Sequence, residues 1–175
     1  KGITECLLCL SSYATQTIDL NISLTAIGAI WAMTDFVRQL LENKSSVEGA
    51  DKLWMCIVTI LQKLSLDVRA SVRNSAMKTL FSTLSTHGLT LSNAIWEQML
   101  SSDGLLFQLL NSTKEKQEES REKESQPDSQ NEISRGSGGY MVVHHSRDTS
   151  YKQWNESRVI ALEGKAKHFF FTVLT

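Results

Sequence analysis

The sequence predicts an all-α chain, a fragment of an α-solenoid made of HEAT- or armadillo-like helical pairs with a disordered polar insertion. One proline and nine glycines in 175 residues favour helices over a strand-and-turn sandwich. Helix-capping residue types, and the apolar and small residues after them, recur about 48 residues apart, close to the HEAT and armadillo period. The helices so defined are apolar over more than one stripe, so each needs neighbours on two or three sides.

The first two predicted helices cover residues 3–13 and the segment from the capping residue Asp19 to about Glu42. A polar loop follows at 43–49. The second helix contains the longest apolar stretch, residues 22–33, which is too short to span a bilayer.

The next helices are predicted from Asp51 to Leu66 and from Val68 to His87. Asp67 is the expected N-cap of the later helix, and Gly88 is its expected C′ glycine. A fifth helical stretch covers residues 92–110, with a break at residues 103–104.

The composition changes sharply after residue 111. Residues 114–139 contain one aliphatic residue and the only proline, so they cannot bury enough apolar surface to offset the entropy of ordering. Because their first dozen residues carry charges of both signs, an alternative prediction for these residues is a solvated extension of the preceding helix. The predicted organisation is helical repeats over 1–112, a low-complexity disordered insertion over 113–148, and the truncated start of the next helical repeat over 149–175.

The repeat is carried by three segments that each begin with a capping-type residue and have a small residue nine positions later. These pairs are Asp19 and Gly28, Asp67 and Ala76, and Asn155 and Gly164. The second segment adds Arg69 and Arg73, which point into the apolar arc of their helix in its first turns. The helix dipole disfavours positive charge there, so each arginine needs a fixed acidic or carbonyl partner. The Asp-x-Arg-x-x-x-Arg pattern has this structural role in HEAT-like arrays.

Residues with potential chemistry favour packing over catalysis. Cys6 and Cys9 form a C-x-x-C without a second ligand pair, so we expect buried helix residues instead of a zinc or redox site. His87 is expected to interact with the carbonyls at its helix C-terminus. Neither nucleophile elbows nor phosphate-binding loops occur, so we predict a non-enzyme without catalytic, metal or cofactor-binding residues. A net charge of −1 gives no indication of nucleic-acid binding.

Three segments resemble the large Golgi scaffold family named for monensin sensitivity. They are residues 20–35 (LNISLTAIGAIWAMTD), 67–96 and 154–162 (WNESRVIAL). The middle segment contains HG-x-x-L-x-x-x-x-W, which is not a general HEAT pattern. Its residues are His87, Gly88, Leu91 and Trp96. The family is related to the large Sec7-type Arf exchange factors, whose helical regions downstream of Sec7 carry similar signatures.

The resemblance implies a non-catalytic cytoplasmic scaffold in traffic between the trans-Golgi network and endosomes. It also implies peripheral, indirect membrane association and partners such as Dopey-like adaptors, phospholipid flippases and Arf-like GTPases. One alternative is the regulatory helical region downstream of the Sec7 domain in an Arf exchange factor. Another is an unrelated HEAT-repeat adaptor of nuclear transport or the cytoskeleton.

Overall fold

The computed structural model describes the backbone of residues 2–43, 49–125 and 149–173, and the side chains of 2–40, 49–125 and 149–167. Its regular elements within these ranges are all helical, which confirms the predicted all-α class. The α-helices are α1 (Gly2–Thr15), α2 (Leu20–Asn43), α3 (Ala50–Leu64), α4 (Ala70–His87), α5 (Asn93–Leu100), α6 (Leu105–Ser125) and α7 (Ser150–Val173), with a 3₁₀ turn at Gly88–Thr90.

The helices pack as consecutive pairs in two layers. Helices α1 and α2, α3 and α4, and α6 and α7 each form a pair. Helix α3 lies between α1 and α6 in one layer, and α4 lies between α2 and α7 in the other. The short α5 packs on α3 and α6. Each central helix therefore has neighbours on three sides, as its wide apolar surface predicts.

The predicted end of α4 at His87 is confirmed, but its predicted start and the predicted role of Gly88 are wrong. The helix begins at Ala70, with Arg69 at the N-cap position, because Asp67 accepts a hydrogen bond from the Arg69 backbone nitrogen (2.8 Å) and forms a turn before the helix. Gly88 has right-handed helical angles (φ −55°, ψ −34°) and continues into the 3₁₀ turn, so it is not a left-handed C′ residue.

Helix α6 extends to Ser125, so the disorder predicted for residues 113–125 is wrong. The alternative of a helical extension is confirmed, but it is not solvated on every side. Thr113, Gln117 and Ser120 are buried at spacings of four and three residues, and α6 packs along α7. The boundary predicted at residue 112 thus falls inside α6, and residues 126–148 lie outside the described residues.

The burial pattern repeats with a shift of 50 residues instead of the predicted 48. The predicted register pairs exposed Gly28 with buried Ala76, and it places Asn155 at a helix start although Asn155 lies within α7. A shift of 50 aligns positions that are buried in both α2 and α4. These pairs are Ser23 and Arg73, Ala26 and Ala76, Ile27 and Met77, Ile30 and Leu80, Thr34 and Leu84, and Val37 and His87.

The apolar stretch at residues 22–33 is too short to span a bilayer, but the apolar part of α2 extends beyond it. By length and composition alone, its 21-residue segment Leu20–Leu40 could cross a membrane, although 33% of an 18-residue window of this segment is buried inside the protein. The helix packs against α1, α3 and α4, and its polar residues Ser23 and Thr34 are completely buried. These contacts provide an explanation for its apolar composition within the helical array.

Candidate functional site

Asp67, Arg69 and Arg73 form a polar cluster, here called the arginine corner, where the three helical pairs meet. Asp67 follows α3, and its carboxylate accepts hydrogen bonds from the Arg69 guanidinium at 2.8 and 2.9 Å. The Asp67 and Arg69 side chains are only 14% and 22% exposed. The ion pair is therefore fixed in geometry and partly shielded from water.

Arg69 connects the second helical pair to the first. Its guanidinium donates to the carbonyls of Ala14 (3.1 Å) and Gln16 (2.7 Å), and to the Ser23 hydroxyl of α2 (3.1 Å). The end of α1 leaves carbonyl oxygens without helical partners, and a cation there is favoured by the helix dipole. The predicted need for fixed acidic and carbonyl partners is met at Arg69.

Arg73 connects the second pair to the third and is completely buried. Its Nε donates to the Ser157 hydroxyl of α7 (2.7 Å), and Nη1 donates to the carbonyl of Val68 (2.9 Å). Its guanidinium carbon lies 4.0 Å from the ring centre of Trp154, a cation–π stack. Carbonyls, a hydroxyl and an aromatic ring thus hold Arg73, and no aspartate from a neighbouring pair is among these contacts.

The charge states of the cluster follow from burial and pairing. Burial opposes ionisation of Asp67, but hydrogen bonds from Arg69 and the charges of Arg69 and Arg73 together hold its pKa below the ordinary value. The hydrogen bond to Asp67 raises the pKa of Arg69, whereas burial lowers the pKa of Arg73. The carboxylate and guanidinium groups are charged partners in packing, not proton donors or acceptors at neutral pH.

The remaining predicted structural positions also lie in packed surroundings. Ala76 is completely buried in α4. A Cβ on Gly88 would lie 2.9 Å from the Trp96 ring, and the Gly88 carbonyl accepts a hydrogen bond from Trp96 Nε1 at 3.1 Å. Gly88 is therefore suited to close contact with Trp96, a different reason from the left-handed angle that the sequence predicted.

The prediction that the His87 side chain interacts with the carbonyls at its own helix end is wrong. His87 is completely buried against α2 and α3. Its ring lies between those of Trp31 and Trp54, at 6.1 and 5.5 Å. The Thr34 hydroxyl donates to the Trp31 carbonyl (2.7 Å), so the 3.1 Å contact makes His87 Nε2 the donor to Thr34. The Nδ1 atom, which would receive a proton, has no hydrogen-bond partner among the described protein atoms.

We expect acid to destabilise the protein through His87. Burial lowers the pKa of His87 below its ordinary 6.5, opposed by the charge of Asp35 and reinforced by that of Arg38. The free energy of unfolding is therefore highest above pH 6.5. As the pH falls below 6.5, the unfolded state binds a proton that the folded state resists, and the free energy of unfolding decreases by up to about 1.4 kcal/mol per pH unit. Urea denaturation from pH 8 to 5.5 measures this.

The control for the His87 prediction is His87→Gln, which keeps a donor for Thr34 but has no titrating ring. Its unfolding free energy should depend less on pH than that of the parent chain. Asp35→Asn should have the opposite effect, because it removes the charge that favours protonated His87. Identical pH profiles for the parent and His87→Gln would contradict the prediction.

The cysteines do not lie where the sequence placed them. Cys6 and Cys9 are exposed on α1 instead of buried, and Cys56 is partly buried. Among the described residues, no group of three or more His, Cys, Asp and Glu side chains is placed to hold a metal ion. A groove between α4 and α7 has Phe81, Ile160 and Gly164 in its lining and charged residues of both signs as well.

A polar seam joins α6 and α7, and the sequence does not predict it. Gln117 donates to Asn155 (2.8 Å) and accepts from Arg158 (2.7 Å), and Glu124 accepts from the Tyr151 backbone nitrogen (2.9 Å). The sequence indicates this seam only through uncharged polar residues at helical spacing in α6, because charges dominate the surrounding sequence. This seam positions α7 so that Trp154 and Ser157 can meet Arg73.

These observations define an all-helical protein of consecutive helix pairs joined by buried polar residues. Residues 43–173 match the family model for the C-terminal region of Mon2 protein. The chain therefore belongs to the Mon2 family, and the resemblance predicted from its sequence is confirmed.

The chain is similar to "Protein MON2 homolog" of Xenopus laevis and of Drosophila melanogaster. It is 35% identical to each, and the matches cover 90% and 93% of this chain. In both cases it spans about 10% of the relative's length. A weaker similarity, 26% identity over 62% of this chain and 8% of the relative, connects it to "Brefeldin A-inhibited guanine nucleotide-exchange protein 1" of Arabidopsis thaliana. No solved structure matches the chain.

Proposed function

We propose that this chain is a HEAT-like α-solenoid segment of a non-catalytic scaffold in vesicle-mediated traffic between the trans-Golgi network and endosomes. The match to the Mon2 C-terminal region over residues 43–173 carries the proposal. The scaffold acts on the cytoplasmic side, with peripheral and indirect membrane association. Its proposed partners are proteins, namely Dopey-like adaptors and Arf-like GTPases.

The arrangement of the helices supports a binding role. Three consecutive pairs stack in two layers, with a burial pattern that repeats after 50 residues. Such stacking creates extended surfaces on which several proteins can bind. The arginine corner supports this role indirectly, because Arg69 and Arg73 fix the positions of neighbouring pairs.

The scaffold proposal is tested by deleting residues 1–175 from the full-length family protein in cells that lack the endogenous copy. We expect the deleted protein to recover less Dopey-like adaptor on precipitation and to restore endosome-to-Golgi cargo sorting incompletely. Full-length protein with Arg121→Ala, an exposed substitution on α6, is the control. Normal adaptor recovery and normal sorting with the deletion would refute this role for the segment.

A second candidate function is regulation of Arf nucleotide exchange, favoured by the similarity to the Arabidopsis exchange protein. In this case the chain would lie downstream of a Sec7 domain and alter its activity. Release of fluorescent GDP from Arf by the full-length protein, with and without residues 1–175, separates the candidates. Exchange that changes with the deletion would support regulation in place of the scaffold role.

A further inference from the structure

An apolar groove, here called the α1–α2 groove, lies between the first two helices. It has a volume of about 320 Å³ and is lined by Leu10 and Tyr13 of α1 and by Asn21, Ile22, Thr25, Ala26 and Ala29 of α2. Its large apolar residues are open to solvent, since Tyr13 is 56% exposed and Ile22 is 44% exposed. Hydrophobic burial would therefore favour a partner in this groove.

The repeat of 50 residues shows which surface of α4 corresponds to this groove. Ile22 and Ala26 of α2 correspond to Val72 and Ala76 of α4, which are both completely buried. Val72 and Ala76 share one helical stripe with His87, at spacings of four and eleven residues. Because His87 contacts Thr34 of α2, this stripe of α4 faces the preceding helical pair. The corresponding stripe of α2, which contains Ile22 and Ala26, lines the open groove and is therefore the surface on which a preceding helical pair would pack.

The two pair-to-pair contacts of the structure share a second feature, an aromatic ring from the preceding pair. Trp31 of α2 lies beside His87 of α4, with ring centres 6.1 Å apart. Phe81 of α4 covers Gly164 of α7, so closely that a Cβ there would overlap its ring. Trp31 and Phe81 are 50 residues apart and occupy the same position of the repeat.

We propose that the α1–α2 groove binds another helical pair of the same polypeptide, whose second helix presents an aromatic ring to α2. The relatives have ample chain to supply it, since the match spans only 10% of their length. A second copy of this chain is the poorer occupant, because its Trp31 and Phe81 already contact His87 and Gly164. The inference rests on the stacked-pair part of the proposed function.

The exposed Cys6 is a built-in reporter for this groove. It lies one helical turn before Leu10, on the stripe of α1 that lines the groove. The labelling rate of Cys6 with a maleimide is measured, by peptide mass spectrometry, in the isolated 175-residue chain and in the full-length family protein. We expect at least about tenfold slower labelling in the full-length protein, because the docked pair must open before the thiol reacts.

Two variants complete the experiment. Ala29→Arg places a charge in the groove and should restore fast labelling of Cys6 in the full-length protein, while circular dichroism of the isolated variant checks its fold. Cys9→Ser removes the neighbouring thiol and should leave the rate ratio for Cys6 unchanged. The readout depends on packing alone, so it remains informative if the trafficking assays fail.

Three results would overturn the proposal. Equal Cys6 labelling in both proteins would show that the groove stays open. Protection of the isolated chain that increases with its concentration would identify a second copy as the occupant. Protection that requires added phosphatidylcholine–phosphatidylserine vesicles would identify a lipid surface.

Discussion

Replacing Arg73 by alanine is expected to lower the free energy of unfolding by about 3–5 kcal/mol, a large part of the stability of a domain of this size. The substitution removes a completely buried side chain, its stack on Trp154 and its hydrogen bond to Ser157. It also removes a donor from the carbonyl of Val68 before α4. Urea denaturation followed by circular dichroism measures the loss.

A matched arginine substitution separates this effect from a general loss of charge. Arg121 is exposed on α6, so Arg121→Ala should change stability by less than about 0.5 kcal/mol. Hydrogen exchange adds a local test, because Arg73→Ala should increase exchange in α7 before it affects α1. Similar small changes for both variants would show that the buried arginine does not stabilise the fold.

Arg73→Met tests whether packing or charge dominates at this position. Methionine retains much of the side-chain volume, and the Ser157 hydroxyl still has Asn74 as an acceptor (2.5 Å). Replacing a buried cation with an apolar side chain of similar volume removes its desolvation cost. We therefore expect the free energy of unfolding of Arg73→Met to be closer to that of the parent chain than the value for Arg73→Ala. The reverse order would contradict a packing role.

The sequence predicted the need of the two arginines for fixed partners but not every partner. Asp67 is two residues from Arg69, so local spacing makes their pairing predictable. Ser157 and Trp154 lie beyond the polar segment, and they reach Arg73 only because α6 and α7 pack together. Such contacts depend on the paths of whole helices, which hydrophobic patterns in single segments do not specify.

The cysteine and α6 predictions failed for opposite reasons. The leucines around Cys6 and Cys9 suggested burial on all sides, but α1 is packed on only part of its circumference. The charges after residue 113 suggest disorder, but the uncharged polar residues Thr113, Gln117 and Ser120 recur at helical spacing and are buried, and Gln117 bonds to α7. Composition averages over the helix surface, whereas packing depends on one stripe.

The same glycine-to-alanine substitution is expected to have opposite effects at Gly28 and Gly164. Alanine is favoured over glycine within a helix by about 1 kcal/mol. Nothing lies within 4 Å of a Cβ built on Gly28, so Gly28→Ala should stabilise the protein by about 0.5–1 kcal/mol. A Cβ added at Gly164 would overlap the ring of Phe81. The overlap includes Cγ, the ring atom nearest the Phe81 backbone, so a small movement of the ring edge would not relieve it.

This overlap should outweigh the helix propensity at Gly164. Overpacking costs up to about 3 kcal/mol, so after the gain of about 1 kcal/mol in helix propensity Gly164→Ala should give a net loss of up to about 2 kcal/mol, and Gly164→Leu a larger one. Thermal and urea unfolding of the two alanine variants measure the difference directly. Since both glycines lie inside long helices, propensity alone predicts the same sign for both.

A double-mutant cycle identifies Phe81 as the cause. In the Phe81→Leu background a smaller side chain faces α7, so the cost of Gly164→Ala should fall, while the gain from Gly28→Ala should be unchanged. Stabilisation by Gly164→Ala in the parent chain would mean that α4 and α7 do not approach closely at this point. The ring-to-helix contact used to infer the occupant of the α1–α2 groove would then lose one of its two examples.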